Sequence, residues 1–135
     1  MAERALVEKK LTASFDLANR LAQSGAPLLA AYWELLEESG RWDLQLVPTS
    51  PTEQRTLISA ATELLVEPPY RSILSVLDVA VNARQIERAR AIAADMRSPD
   101  DIGRRFDTTF TGGEYFEAFI VVYLAPELQR HLSAA

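Results

Sequence analysis

At 135 residues, with 48% of them apolar, the chain lies in the size range of one compact domain and can bury a core without staples. It has no cysteine, which excludes disulfides, thiolate metal sites and cysteine nucleophiles and agrees with a reducing, cytoplasmic setting. A formal net charge of −5 is the wrong sign for holding a phosphate backbone by counterion release, so nucleic acid is not an expected partner.

Residues 1–10 mix Glu3, Arg4, Glu8, Lys9 and Lys10 with apolar residues, so no secretory signal is expected. Val7, Leu11, Phe15, Ala18 and Ala22 recur at helical spacing beside a second row, Leu6, Ala13, Leu17 and Leu21. This predicts a helix over residues 3–23. Gly25 followed by Pro27 ends it. Residues 28–38 contain strong helix formers, but Trp42, Leu44 and Leu46 then alternate with Asp43 and Gln45 as in a half-buried strand. Such a strand needs a neighbour for its backbone groups, which predicts a β-hairpin over residues 29–47 turning at 37–40. Ser50, Pro51 and Glu53 have the form of a capping box, and Leu57, Ile58, Ala61, Leu64 and Leu65 supply the stripe of the helix it starts. Pro68 and Pro69 stop that helix.

Ile73, Val76, Leu77, Val79 and Val81 make residues 73–83 a largely buried third strand, interrupted by Ser75 and Asp78. Asn82 and Gln85 form a weaker cap for a helix whose stripe is Ile86, Ala89, Ala93 and Met96, ending near Ser98 and Pro99. Residues 104–111 and 114–124 flank Gly112-Gly113, and a two-glycine loop supplies the positive φ angles of a primed hairpin turn. The tail after Pro126 is a short helical turn or frays. The longest apolar run, residues 119–126, falls far short of the roughly 20 residues of a membrane helix, so no membrane partner is expected. The fold class is α+β in the order α-ββ-α-β-α-ββ: about five mostly antiparallel strands in one sheet, with helices packed on at least one face.

The segments AAYWELLEESGRWDLQLVP, SILSVLDVAVN and TFTGGEYFEAFIVVYL resemble small bacterial proteins of uncharacterised function over about residues 30–124. The most specific parts are Trp33 and Trp42 bracketing a hairpin and the Gly-Glu-Tyr-Phe turn before the last strand. The resemblance implies the β reading of residues 29–36 and supplies no site. A bacterial source also fits the abundance of alanine and the near-replacement of lysine by arginine, Lys9 and Lys10 being the only lysines.

With Gly112 and Gly113 as the loop, Phe110 pairs with Tyr115, Thr108 with Glu117, Phe106 with Phe119 and Arg104 with Val121, and opposed residues share a face. One face then carries Phe106, Phe110, Tyr115, Phe119, Val121 and Tyr123, and the other Phe116, Ala118, Ile120, Val122 and Leu124. Both faces are apolar, and soluble monomers rarely leave a contiguous apolar patch above a few hundred Å² uncovered. Helices on both faces, a homodimer through the aromatic face, or a pocket for an apolar or aromatic small molecule would each cover it.

Catalytic signals are weak. His131 is the only histidine and lies in the tail, so neither a general base nor a Ser-His-Asp arrangement has a scaffold. Asp78 is read as a solvated or capping carboxylate, and Asp100 and Asp101 as loop acids or a helix start rather than metal ligands. Gly112-Gly113 lacks the spacing of a phosphate cradle. Arg84, Arg88, Arg90, Arg97, Arg104 and Arg105 could face an acidic partner or RNA. Glu87, Asp95, Asp100 and Asp101 among them favour a solvated face with ordinary ion pairs. No metal or cofactor is expected. The leading expectation is a non-enzymatic interaction or structural module, a homodimer through Phe106, Phe110, Tyr115, Phe119 and Tyr123. The alternative is a small-molecule-binding protein or weak enzyme with those residues lining a pocket.

Overall fold

A computed structural model describes residues 8–36, 38–68 and 70–133. In chain order its elements are α1 (Glu8–Gln23), β1 (Leu28–Leu36), β2 (Arg41–Pro48), α2 (Gln54–Leu65), α3 (Tyr70–Ile73), β3 (Val79–Val81), α4 (Ile86–Asp95), β4 (Arg105–Thr111), β5 (Glu114–Leu124) and α5 (Pro126–Ser133). Short 3-10 turns stand at Pro51–Glu53, Val76–Asp78, Ala83–Gln85 and Pro99–Asp101. The fold is α+β and its order roughly the expected one, with the short α3 added between α2 and β3 and the tail after Pro126 forming α5. Glu3, Leu6 and Val7 of the first predicted helix, Glu37 of the first turn and Pro69 lie outside the described residues.

The strands form one sheet ordered β3-β2-β1-β5-β4. It is mixed, not mostly antiparallel: β1 pairs antiparallel with β2 and β5, and β4 with β5, but β3 lies parallel to β2. The reason is the connection, because α2 carries the chain back across one face and β3 therefore starts at the same end as β2. Helices cover both faces. Trp33, Leu35, Leu44, Leu46, Ile120 and their neighbours bury against α1, α2 and α3. Tyr32, Val47, Phe116, Phe119, Val121 and Leu124 bury with Ile86, Ala89, Ile92 and Ala93 of α4 and Leu132 of α5. The two central strands, β1 and β5, have core on both sides, which is why their apolar residues run almost without a break.

The third strand is much shorter than residues 73–83. Ser75 Oγ accepts the N–H of Leu77 at 3.0 Å and the Asp78 carboxylate accepts the N–H of Ser75 at 2.9 Å, closing a turn where a strand would need extended backbone. Val76 and Leu77 are left 63% and 74% exposed on that turn. Ser50 precedes a helical turn as expected, but its hydroxyl lies 3.0 Å from Thr52 Oγ1 and caps no N–H; the chain enters α2 through a 3-10 turn instead. Asn82 does cap, accepting the N–H of Arg84 at 2.9 Å. α4 stops at Asp95, before Ser98, which caps its own turn by accepting the N–H of Asp100 at 3.2 Å. Asp101 completes that turn. N–H groups of Arg97 and Ser98 at 2.9 and 3.3 Å hold its carboxyl below the ordinary carboxylate value.

The closing hairpin has the counted register, Thr111 opposite Glu114, Phe110 opposite Tyr115 and Phe106 opposite Phe119. Strict alternation fails at two places on β5. Phe116 and Leu124 join Phe119 and Val121 under α4 and α5, whereas Ala118, Ile120 and Val122 face the other way. Thr108, across from Glu117, has φ +40°, and the β1–β5 ladder shifts register between Ala31 and Tyr32.

Gly112 and Gly113 have φ of +58° and +81°. A Cβ on Gly112 would come within 2.5 Å of the Ala91 Cβ on α4, whereas one on Gly113 would meet nothing within 4 Å. Gly112→Ala is therefore expected to cost about 2 kcal/mol or more, strain and overpacking together, and Gly113→Ala clearly less. Thermal denaturation of the two variants side by side measures the difference.

Candidate functional site: the sheet end between the two hairpins

The antiparallel pairing of β1 with β5 sets Glu34 opposite Phe119 and Leu35 opposite Ala118, so the turns of both hairpins lie at one end of the sheet. Between them runs a groove of about 440 Å³ lined by Leu35, Leu36, Glu34, Glu38, Tyr115 and Glu117, with Ser39 at its side. Its floor is apolar and its charged lining is entirely carboxylate. The Tyr115 hydroxyl donates to Glu117 Oε1 at 2.8 Å, and the Phe110 ring lies 4.9 Å from that of Tyr115 at a tilt of 53°. Phe110 is 75% exposed and Tyr115 37%.

Behind the groove, α4 is fixed to the sheet by Arg88. Its guanidinium donates to Glu34 on β1 and, at 2.8 Å, to Glu114 on β5, and it covers the Phe116 ring at 4.0 Å from the ring centre. The Glu34 side chain is only 12% exposed. Burial pushes its carboxyl above the ordinary value, Arg88 pulls it back, and Asp43 and Glu114 push it further up. Beside it the Tyr32 phenol, raised by burial, donates to Gln85 Oε1 at 2.6 Å. A carboxyl with a raised pKa is what a general acid uses, but this one is bound to an arginine that it shares with Glu114.

Across the β1–β2 turn lies a groove of opposite sign, about 380 Å³, whose lining includes Lys10, Arg41, Arg71, Ser75, Leu77 and Asp78. Lys10 Nζ is 3.1 Å from Asp78 Oδ1, and Arg41 donates to Asp43 Oδ1 and to the Leu77 carbonyl, each at 3.0 Å. A larger concavity, about 990 Å³, separates α1 from α3, but Glu8, Lys9, Lys10 and Asp16 line it with both signs. Its polar centre is structural, since the Tyr70 hydroxyl donates to Asp16 and accepts from Arg20 at 3.3 Å, anchoring α3 on α1.

The five aromatic residues expected to share a site fall into separate places. Phe106 stacks on Phe119 at 5.2 Å, and Phe119 is buried in the core under α4 and α5. Tyr123 is half-buried between the two cores, its phenol raised by burial. Phe110 and Tyr115 alone of the five are open to solvent. The arginines disperse: Arg88 into the core triad, Arg104 to Asp101 at 3.4 Å, and Arg105 to Asp107 at 2.8 Å with its guanidinium over Trp42. Asp78 is a capping residue paired with Lys10. The His131 side chain lies outside the described part of α5. Among the described residues no group of three His, Cys, Asp or Glu is placed to hold a metal ion, and no helix is long and apolar enough to cross a membrane.

Sequence reasoning passed over Glu34, Glu38 and Glu117 and, across the turn, Lys10, Arg41, Arg71 and Leu77. One signal was available: Glu34 is the lone charge in LLAAYWELL, and a carboxylate in a buried strand needs a partner. Compared with protein-family models, curated proteins and solved structures, the chain matches none.

Proposed function

We propose that this chain is a non-enzymatic interaction module that self-associates through the hairpin end of its sheet. The observation that carries the reading is the Phe110–Tyr115 pair, an exposed aromatic surface on the β4–β5 hairpin. Large aromatics left in water at one spot mark contact surfaces, and symmetric dimers are the commonest oligomers. The contact uses this end and not the whole aromatic face, because Phe119 is already spent in the core. The lack of cysteine supports a reducing, cytoplasmic setting, and the net charge of −5 speaks against nucleic acid as partner.

Light scattering on a size-exclusion column tests the reading. The wild type is expected at about 30 kDa, twice the 15.0 kDa chain, across a dilution series. Phe110→Asp is expected at the monomer mass and still folded by circular dichroism, since the ring is outside the core, with a lower thermal midpoint because the association no longer stabilises it. A wild type that stays monomeric sinks the reading. It would favour the small-molecule alternative, for which the groove's volume and its aromatic and carboxylate walls suit a cationic ligand.

A further inference from the structure

The hairpin end of the sheet has an order of its own. Because β3 runs parallel to β2, the turn Val76–Asp78 that precedes it lies beside the first residues of β2, where Arg41 holds the Leu77 carbonyl. With the strand order β3-β2-β1-β5-β4, the surface along this end can be followed from edge to edge. First comes an apolar turn, Val76 and Leu77; then the net basic groove that Leu77 borders, where Lys10, Arg41 and Arg71 outnumber Asp78. The β1–β2 turn follows, then the acidic groove with Glu38 and Glu117, then the apolar pair Tyr115 and Phe110. Reversed, the series keeps apolar groups at its ends and exchanges positive for negative. A two-fold axis through the β1–β2 turn performs that reversal, and an isologous interface requires such self-complementarity.

Resting on the self-association reading, we infer that the chain forms a two-fold dimer in which the acidic groove of each copy receives the basic groove of the other. Leu77 of one copy then packs on the Phe110–Tyr115 pair of its mate, and Glu38 and Glu117 face Arg41 and Arg71 across the axis. Glu34 takes no part, being held by Arg88. A second copy fits this surface better than an unrelated basic partner, because such a partner would satisfy the acidic groove and leave the basic groove and Leu77 unused. A standard interface takes about 800 Å² from each partner, roughly a tenth of the 7541 Å² surface, which one end of the sheet can offer. The apolar ends supply affinity and the crossed charges fix register and exclude parallel or slipped contacts.

Charge reversal with rescue tests the pairing. One variant carries Glu38→Arg and Glu117→Arg, the other Arg41→Glu and Arg71→Glu; Glu38, Arg41 and Arg71 are exposed, and circular dichroism confirms that each variant is folded. Each alone is expected to associate at least tenfold more weakly than wild type, because like grooves now meet about the axis. An equimolar mixture should return to the dimer mass, since a mainly basic end then meets a mainly acidic one. A wild type that is monomeric overturns self-association and this inference together. A dimeric wild type with both variants still dimeric, or with variants that stay monomeric when mixed, overturns the two-fold pairing and leaves self-association standing.

Discussion

Trp33→Ala is expected to lose about 3–5 kcal/mol, the usual range for deleting a fully buried large aromatic side chain. Trp33 lies at 0% exposure in the middle of β1, between β2 and β5, so no chain end or loop can collapse into the space it leaves. Its indole Nε1–H donates to Ser14 Oγ at 2.9 Å, and that hydroxyl donates in turn to the Leu11 carbonyl at 2.6 Å. The indole therefore fixes the position of α1 on the sheet as well as filling volume. Against a total of about 5–15 kcal/mol for a domain, the loss is a fifth of the whole at the least. Urea denaturation followed by circular dichroism should show a much lower midpoint at an unchanged slope. Trp33→Phe, which keeps most of the apolar volume and removes only the donor, should lose far less.

Arg88→Met is expected to be the other severe change, about 3–5 kcal/mol at neutral pH, because it strands the Glu34 carboxylate in the sheet without its counter-charge. Glu114 matters less, being 41% exposed and able to turn to water. Adding Glu34→Gln to Arg88→Met should recover much of the loss, which a double-mutant cycle reads directly. The pH dependence gives a second readout. Glu34 has a raised carboxyl, so the folded chain binds its proton more tightly than the unfolded one. Its contribution is most favourable below the ordinary value near 4.5 and declines as pH rises through the folded value. Without Arg88 the carboxyl moves higher still, so the deficit of Arg88→Met should be smaller at about pH 5 than at about pH 7.5. An equal deficit at both would show that Arg88 acts by packing over Phe116 and not by charge.

The parts of this fold that were legible in the sequence are those whose cause is local. Trp42, Leu44 and Leu46 alternate within one strand, and Gly112-Gly113 closes a turn whose register then follows by counting. The third strand misled because Ser75 and Asp78 look like interruptions in an apolar run, when each is a capping group acting on the other's backbone. Its parallel pairing depends on where α2 returns the chain, which no residue in β3 states. The aromatic face dissolved for a related reason. A period-two count carries no knowledge of the slips opposite Thr108 and Ala31, or that α4 descends on Phe119. The grooves were invisible because Glu38 comes from one hairpin and Glu117 from the other, and only the β1–β5 pairing brings them together.

That pairing also governs how the molecule comes into being. β1 has its partner β2 one short turn away, but its opposite edge waits for β5, which follows only after α2, β3, α4 and β4, with Ala30 meeting Leu124. During synthesis the emerging chain therefore carries an open, strongly apolar strand edge until the last hairpin has left the ribosome. Such edges recruit other chains, and long-range strand pairing is slow. A chain cut short before Glu114 is expected to keep the β5-facing edge of β1 uncovered and ready to aggregate.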